Sequence, residues 1–436
     1  MLGGIAALPT LRYVIRRLPV VRGWEADNIA RSIVGGHGYS FSGEQRWLWE
    51  MWNGDSSQYY PTAWADPVFT YLLAAAHWLF GRYAYTFIYF LNFVCIGLIL
   101  YWAYLLARRF AGPWAGAAAI VILSANSMMG VAFFDTINNT AFSTAVMTAG
   151  AIVMVRYFER PDRSRLLQLG FFSGFLVLSC PTAEYGVLLL LVALVLFHWR
   201  AGRARWTRSA AVLLMAACVV APWTIRNYLT FGEWVLVRNG GGQITWDGTV
   251  GAASTFAPEA TGLELPTPWR STGPRDAIQG MLVTDQRIAM IHYQVDAVAA
   301  APPPGYETMN EAQRDLYYLD RMKSFVRHHP AIAIQLAVAK LEAFVMRFGW
   351  CGLVVFVLAV GGAALLRSNM SSWPLTAMTC GYIAPFILAI PYFGRYRAPL
   401  EPILVVLATV ALQRAGSGIF RRTMLATAGG PVRTPG

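Results

Sequence analysis

Apolar runs long enough, or nearly long enough, to cross a bilayer recur along the chain at about 83–107, 112–132, 137–157, 165–180, 183–199, 209–224, 348–366, 373–391 and 398–414. A membrane helix needs roughly 20 predominantly apolar residues, because the hydrocarbon core is about 30 Å thick. The first stretch, Met1 to Val21, starts apolar but is interrupted by Arg12, Arg16 and Arg17. It predicts either a short, marginal first span or a start that lies downstream of the true one, and no cleavable signal peptide is expected in it. The pattern therefore predicts an all-α polytopic membrane protein of about ten transmembrane helices.

Two more apolar segments are expected to lie in the outer interface instead of crossing. Counting 64–81 as a span would put Arg108 and Arg109 outside, and 331–347 carries Lys340, Glu342 and Arg347, a poor bilayer core. Arginines gather at Arg108-Arg109, from Arg160 to Arg165, from Arg200 to Arg208, at Arg367 and at Arg421-Arg422, and these places alternate with basic-poor turns. The positive-inside rule then puts both termini in the cytoplasm. Two long polar segments, 22–63 and 225–330, fall on the opposite side, and function is expected there. The expected organisation is an N-terminal transmembrane module, 1–224, carrying the first outer loop; a large outer loop with an interface helix, 225–347; and C-terminal transmembrane helices with a cytoplasmic tail, 348–436. No internal repeat is visible, which argues against a transporter built from two related halves.

Composition agrees: 56% of the 436 residues are hydrophobic and 13% charged, with mean hydropathy +0.44, where a soluble domain carries about a quarter charged residues. The net charge of +12 comes in short clusters between apolar runs, so it reads as a topology signal and not as a nucleic-acid surface. Cys95, Cys180, Cys218, Cys351 and Cys380 lie in or at the ends of apolar stretches without metal-ligand spacing, so neither disulfides nor a structural zinc are expected. The scattered histidines lack metal spacing, and there is no Walker-type loop or dinucleotide fingerprint; Gly240-Gly241-Gly242 reads as a turn.

Candidate chemistry clusters beside the expected outer ends. Glu25 and Asp27 stand two positions apart just beyond the first helix, where a carboxylate could act as general base or simply sit near a helix start favoured by its dipole. Asp135, in Phe133-Phe134-Asp135-Thr136, is an acid at a membrane boundary, a functional candidate that also suits an N-cap. Asp66 before Pro67 suits a cap of the interface helix. Arg226, Arg395 and Arg397 stand against the positive-inside trend beside aromatics, where a guanidinium either forks onto a phosphate or snorkels to headgroups.

The order of motifs carries a resemblance. An acidic first loop with Gly36-His37-Gly38-Tyr39, then Pro61-Thr62-Ala63-Trp64-Ala65-Asp66-Pro67 leading into an interface helix that ends Leu79-Phe80-Gly81, is followed by Asp135 after the third span. Next come Pro222-Trp223-Thr224-Ile225-Arg226-Asn227-Tyr228, His329-Pro330, and Arg395-Tyr396-Arg397-Ala398-Pro399-Leu400. In this order the chain resembles the GT-C membrane glycosyltransferases that use polyprenyl-phosphate sugars, the superfamily of protein O-mannosyltransferases and the lipid A aminoarabinose transferase. The resemblance implies that a first-loop carboxylate, Glu25 or Asp27, deprotonates an acceptor hydroxyl that displaces polyprenyl phosphate with inversion, while Asp135 faces the same cavity as a second acid. It implies Arg395 and Arg397 as phosphate ligands, with Arg226 as a further candidate, and Asp66, Tyr39 and Asn227 along the substrate cavity. Trp24 stands where the aminoarabinose type has an acid before Glu25, and Asp66 and Cys180 stand where basic residues are expected.

The implied partners are the bilayer, a polyprenyl-phosphate-linked sugar and a glycan, lipid or protein acceptor, with no nucleic acid, no cofactor and no metal. The implied place is a bacterial inner membrane with the site on the outer face. The alternatives are a lipid-linked sugar flippase or transporter, or a catalytically inactive binding protein of the same fold.

Overall fold

The computed structural model describes residues 25–42, 58–126, 137–199, 206–246, 249, 309–328, 330–346, 349–388 and 394–428. Each of the nine long apolar runs holds a helix among the described residues: α3 (Ala84–Ala111), α4 (Pro113–Ala125), α5 (Thr140–Glu159), α6 (Arg163–Ser179), α7 (Glu184–Trp199), α8 (Trp206–Phe231), α12 (Gly349–Leu365), α13 (Trp373–Leu388) and α14 (Glu401–Ala428). Shorter or more polar helices complete the set: α1 (Glu25–Val34), α2 (Pro67–Phe80), α9 (Gly241–Trp246), α10 (Glu311–His328) and α11 (Pro330–Met346). Met1–Val21, expected to hold the first span, lies outside the described residues.

The protein is a polytopic helical membrane protein. Four stretches among the described residues are long and apolar enough to cross by themselves: Pro67–Ala111, Thr140–Glu159, Pro181–Trp199 and Trp206–Phe231, with Pro113–Ala125 and Cys351–Leu365 as shorter apolar helices. The first of these holds both α2 and α3, broken by a single 3-10 turn at Gly81–Tyr83. Large apolar side chains such as Trp114, Leu214 and Leu229 point outward, 78%, 66% and 78% exposed. In water such a surface would drive association; against lipid tails it is the matching solvent.

Because lipid supplies no hydrophobic drive between helices, close packing holds the bundle, and small residues make it possible. A Cβ on Gly170 or Gly174 of α6 would come 2.6 Å from Met215 or from the Ala216 carbonyl of α8. α7 and α13 meet at Gly186 and Gly381, where an added Cβ would lie 2.5 Å from the opposite Cα, and α12 meets α14 where Gly362 faces the Leu407 carbonyl.

The one short sheet among the described residues pairs β1 (Ser40–Ser42) antiparallel with β2 (Tyr59–Pro61), with Ser40 opposite Pro61. It folds the first loop back so that 62–66 returns beside α1.

Candidate functional site

The site is built where α1, the 62–66 segment and the bent stretch after α8 converge. α1 buries Ile29 and Ala30 against the core, and its polar anchor is Asp27. The Asp27 carboxylate, 4% exposed, accepts from Tyr85 Oη at 2.6 Å and Arg31 Nε at 3.0 Å and lies 2.6 Å from His77 Nε2. Arg31 also donates to Tyr85 Oη at 2.6 Å. Burial pushes the Asp27 carboxyl up, but the bonds from His77 and Tyr85 and the Arg31 charge outweigh it and hold it below its ordinary range. These bonds dock α1 onto α2 and the first turn of α3, and they leave Asp27 engaged on both oxygens. Of the two first-loop acids, Glu25 is therefore the one with capacity to spare: half-buried, it accepts, among the described residues, only from Trp64 Nε1, at 3.3 Å on Oε1.

Trp64 is fixed from several sides. Glu311 of α10 accepts from Thr62 Oγ1 at 2.6 Å and from the Ala63 amide at 2.9 Å, while the Asn239 amide donates to the Ala63 carbonyl at 2.9 Å. The stretch 232–240 is pinned in turn by α8: Trp223 Nε1 donates to Val237 O at 2.6 Å, and Asn227 Nδ2 donates to Val235 O and Val237 O at 3.1 and 3.2 Å. Gly240 has φ +86°, and a Cβ there would come 2.6 Å from the Trp64 ring, so only glycine lets the chain pass this close.

This path carries Arg238 over the Trp64 ring, 5.9 Å from the guanidinium carbon to the centroid. Arg238 makes no hydrogen bond or ion pair among the described residues, although its charge reaches Asp66, Glu184 and Asp315. It was absent from the sequence candidates, because nothing in Val237-Arg238-Asn239 distinguishes it until Gly240 and the α8 side chains have set the path.

Asp66 stands at the N-cap of α2 with φ −69° and ψ 132° but makes no side-chain cap bond. Its Oδ1 accepts from Asn139 Nδ2 at 2.8 Å, whereas its Oδ2 is buried without a hydrogen bond. Burial raises its carboxyl to about 7, against the opposing pull of the Arg238 charge and the Asn139 bond, with Glu25 adding to the rise.

The remaining candidates are held in the framework. Tyr39 is buried, its Oη 2.9 Å from the Ala65 carbonyl and 3.2 Å from Thr70 Oγ1. Arg226 donates to Thr62 O at 2.7 Å and Tyr39 O at 2.9 Å and stacks against Tyr39, Trp223 and Phe231, so it ties the first loop to α8. The expected phosphate role for Arg397 is corrected by its surroundings. It is 0% exposed, bonded to Glu401 Oε2 at 2.7 Å and to the carbonyls of Phe344, Val345 and Gly352, so its guanidinium is spent inside the protein. Asp135 lies outside the described residues, as does the side chain of Arg395. Among the described residues no three potential metal ligands converge.

Residues 62–225 match the family described as dolichyl-phosphate-mannose-protein mannosyltransferase. The match runs from the 62–66 segment into α8 and covers less than half of the chain. Two solved structures of ArnT from Cupriavidus metallidurans are similar at 14% identity over 95% of this chain: one bound to undecaprenyl phosphate, 78% of it covered at a TM-score of 0.35, and one in the apo state, 79% covered at 0.31. At that level the likeness assigns no residue a role. No curated protein matches the chain in sequence.

Proposed function

We propose that this GT-C-type membrane protein transfers a sugar from a polyprenyl-phosphate donor to an acceptor hydroxyl, with inversion, on the outer face of a bacterial inner membrane. The observation that carries the reading is the convergence on Trp64 of one carboxylate and one guanidinium with uncommitted capacity, Glu25 and Arg238. Support for the donor class comes from the matching family, whose description names a polyprenyl-phosphate sugar, dolichyl-phosphate mannose.

In this reading Glu25 takes the proton from the acceptor hydroxyl as that oxygen attacks the anomeric carbon. The bond from the anomeric carbon to the phosphate oxygen breaks, and the electron pair leaves with polyprenyl phosphate. The growing negative charge on the leaving phosphate is met by Arg238, which lies over the Trp64 ring with its donors unspent among the described residues. Asp27 is a positioning residue that holds α1, and so Glu25, against α2 and α3. Arg395 remains a second candidate for the phosphate.

Transfer of labelled sugar from membrane polyprenyl-phosphate donors tests the reading. Glu25→Gln at matched membrane expression is expected to lose transfer by about 10²–10⁴-fold while still binding donor lipid. A wild type that binds the donor but never transfers its sugar would sink the catalytic reading.

A further inference from the structure

α3 and α5 both begin at the candidate site, through Tyr85 and Asn139, and both end about 30–40 Å away at 1.5 Å per residue. There their last turns, with the start of α6, line an open cavity of about 600 Å³ whose walls are chiefly Arg109, Arg156, Glu159, Arg160, Asp162 and Arg165. Glu159 receives both Nε and NH2 of Arg109, a two-pronged clamp that staples the end of α5 to the end of α3. Arg165 pairs with Asp162 at 3.1 Å and donates to the carbonyls of Arg156 and Arg160 at 3.0 and 3.3 Å, closing the turn between α5 and α6.

Those bonds consume both acids and two of the four arginines. Among the described residues the guanidinium groups of Arg156 and Arg160 make no ion pair or hydrogen bond, so two positive charges are left over in one concavity. A topology signal needs only enough cations on one side of the membrane. It has no use for a stapled cavity drawn from three helices, with its acids already neutralised and its spare charge gathered. The cavity lies at the ends of α3 and α5, both in stretches long and apolar enough to cross a membrane, where a basic recess between helices suits a phosphate-bearing head. A planar guanidinium pair matches phosphate oxygens, and the charge surplus matches an anion.

We propose that this cavity binds the phosphate headgroup of an anionic phospholipid in the leaflet at the arginine end of the bundle. The proposal is independent of the reaction assigned to the other end. The full chain would be placed in nanodiscs of phosphatidylcholine with or without phosphatidylglycerol. Lipid carried through detergent extraction would then be read by native mass spectrometry, alongside the unfolding temperature.

Wild type, and Arg163→Gln, which alters a neighbouring arginine outside the lining, are expected to retain phosphatidylglycerol in preference to phosphatidylcholine and to unfold later in its presence. The double variant Arg156→Gln with Arg160→Gln is expected to lose that preference by about tenfold or more. An unchanged preference in the double variant overturns the site. Inorganic pyrophosphate in lipid-depleted micelles separates the two sources of phosphate. Protection by pyrophosphate that needs Arg156 and Arg160, without preference for phosphatidylglycerol, overturns the lipid assignment in favour of a soluble phosphate compound.

Discussion

At the Glu25 end of α3 and α5, acids crowd together: Asp27, Asp66, Glu311 and Asp315 all lie buried or half-buried around Trp64 and α2. At the other end arginines crowd instead, four around two carboxylates. In both places most of the charge is occupied with holding the fold. Asp27 latches α1, Glu311 fixes Thr62 and Ala63, Asp315 accepts from the Gly242 and Gln243 amides, and Glu159 and Asp162 staple and close their turns. What differs among the described residues is the remainder: at one end, beside an Asp66 whose charge burial disfavours, a carboxylate and a cation of opposite sign, Glu25 and Arg238; at the other two cations of the same sign. A pair of opposite sign can move a proton and stabilise a leaving anion, whereas a pair of like sign can only hold an anion. The uncommitted charge, and not the total, marks what each end can do.

That contrast can be broken most forcefully at Arg238. Arg238→Gln should lower transfer by about 10²–10³-fold, chiefly in kcat, because the lost interaction strengthens as the phosphate departs. An unaltered kcat would hand the phosphate to another cation and leave Glu25 without its partner.

A smaller effect is expected at Asp27. Asp27→Asn removes the charge from a buried carboxylate with three partners, of which Arg31 is largely exposed, and should cost about 1–2 kcal/mol in unfolding free energy. That stability depends on an ionised carboxyl held below its usual range, so in wild type it is present above the unfolded value near 3.8 and is lost as pH falls through the lower folded value. Thermal unfolding across pH 3–7 checks both points. A variant as stable as wild type, with the same acid limb, would mean that the bonds to His77, Tyr85 and Arg31 do not hold α1.

The least drastic test is at Asp66, whose carboxyl is raised to about 7. A raised folded value has the opposite sign: the contribution is fully present below about 3.8 and declines as pH climbs to about 7, because the unfolded chain releases a proton that the folded one keeps. Asp66→Asn should flatten that decline, worth on the order of a few kcal/mol across the window, in unfolding measured from pH 4 to 8. An unchanged slope would place the titration elsewhere.

Much of the architecture was legible in the sequence because a run of apolar residues bounded by arginines has few alternatives in lipid. Hence the nine runs emerge as helices among the described residues, most with ends shifted by a few residues, α8 continuing through Phe231, past the boundary expected at 224, and α14 through Ala428, past 414. Glu25 was legible for a local reason as well, its place beside Asp27 at a helix start. Arg238 was not, since its neighbourhood is assembled from Trp64, Gly240, Trp223 and Asn227, which are distant in sequence. Arg397 looked available because aromatics flank it, yet Glu401 stands four residues on, the spacing that lets an arginine and a carboxylate meet on one helical turn. Reading that spacing would have removed it from the candidates.

The glycine contacts inside the bundle have a bearing on traffic. Where α7 meets α13 at Gly186 and Gly381, and where α12 meets α14 at Gly362, backbone rests on backbone with no space for even a methyl group. An acyl or isoprenoid tail is several times thicker than that clearance, so these two seams act as sealed hulls at that depth. A lipid-borne substrate must find its berth along some other face of the bundle.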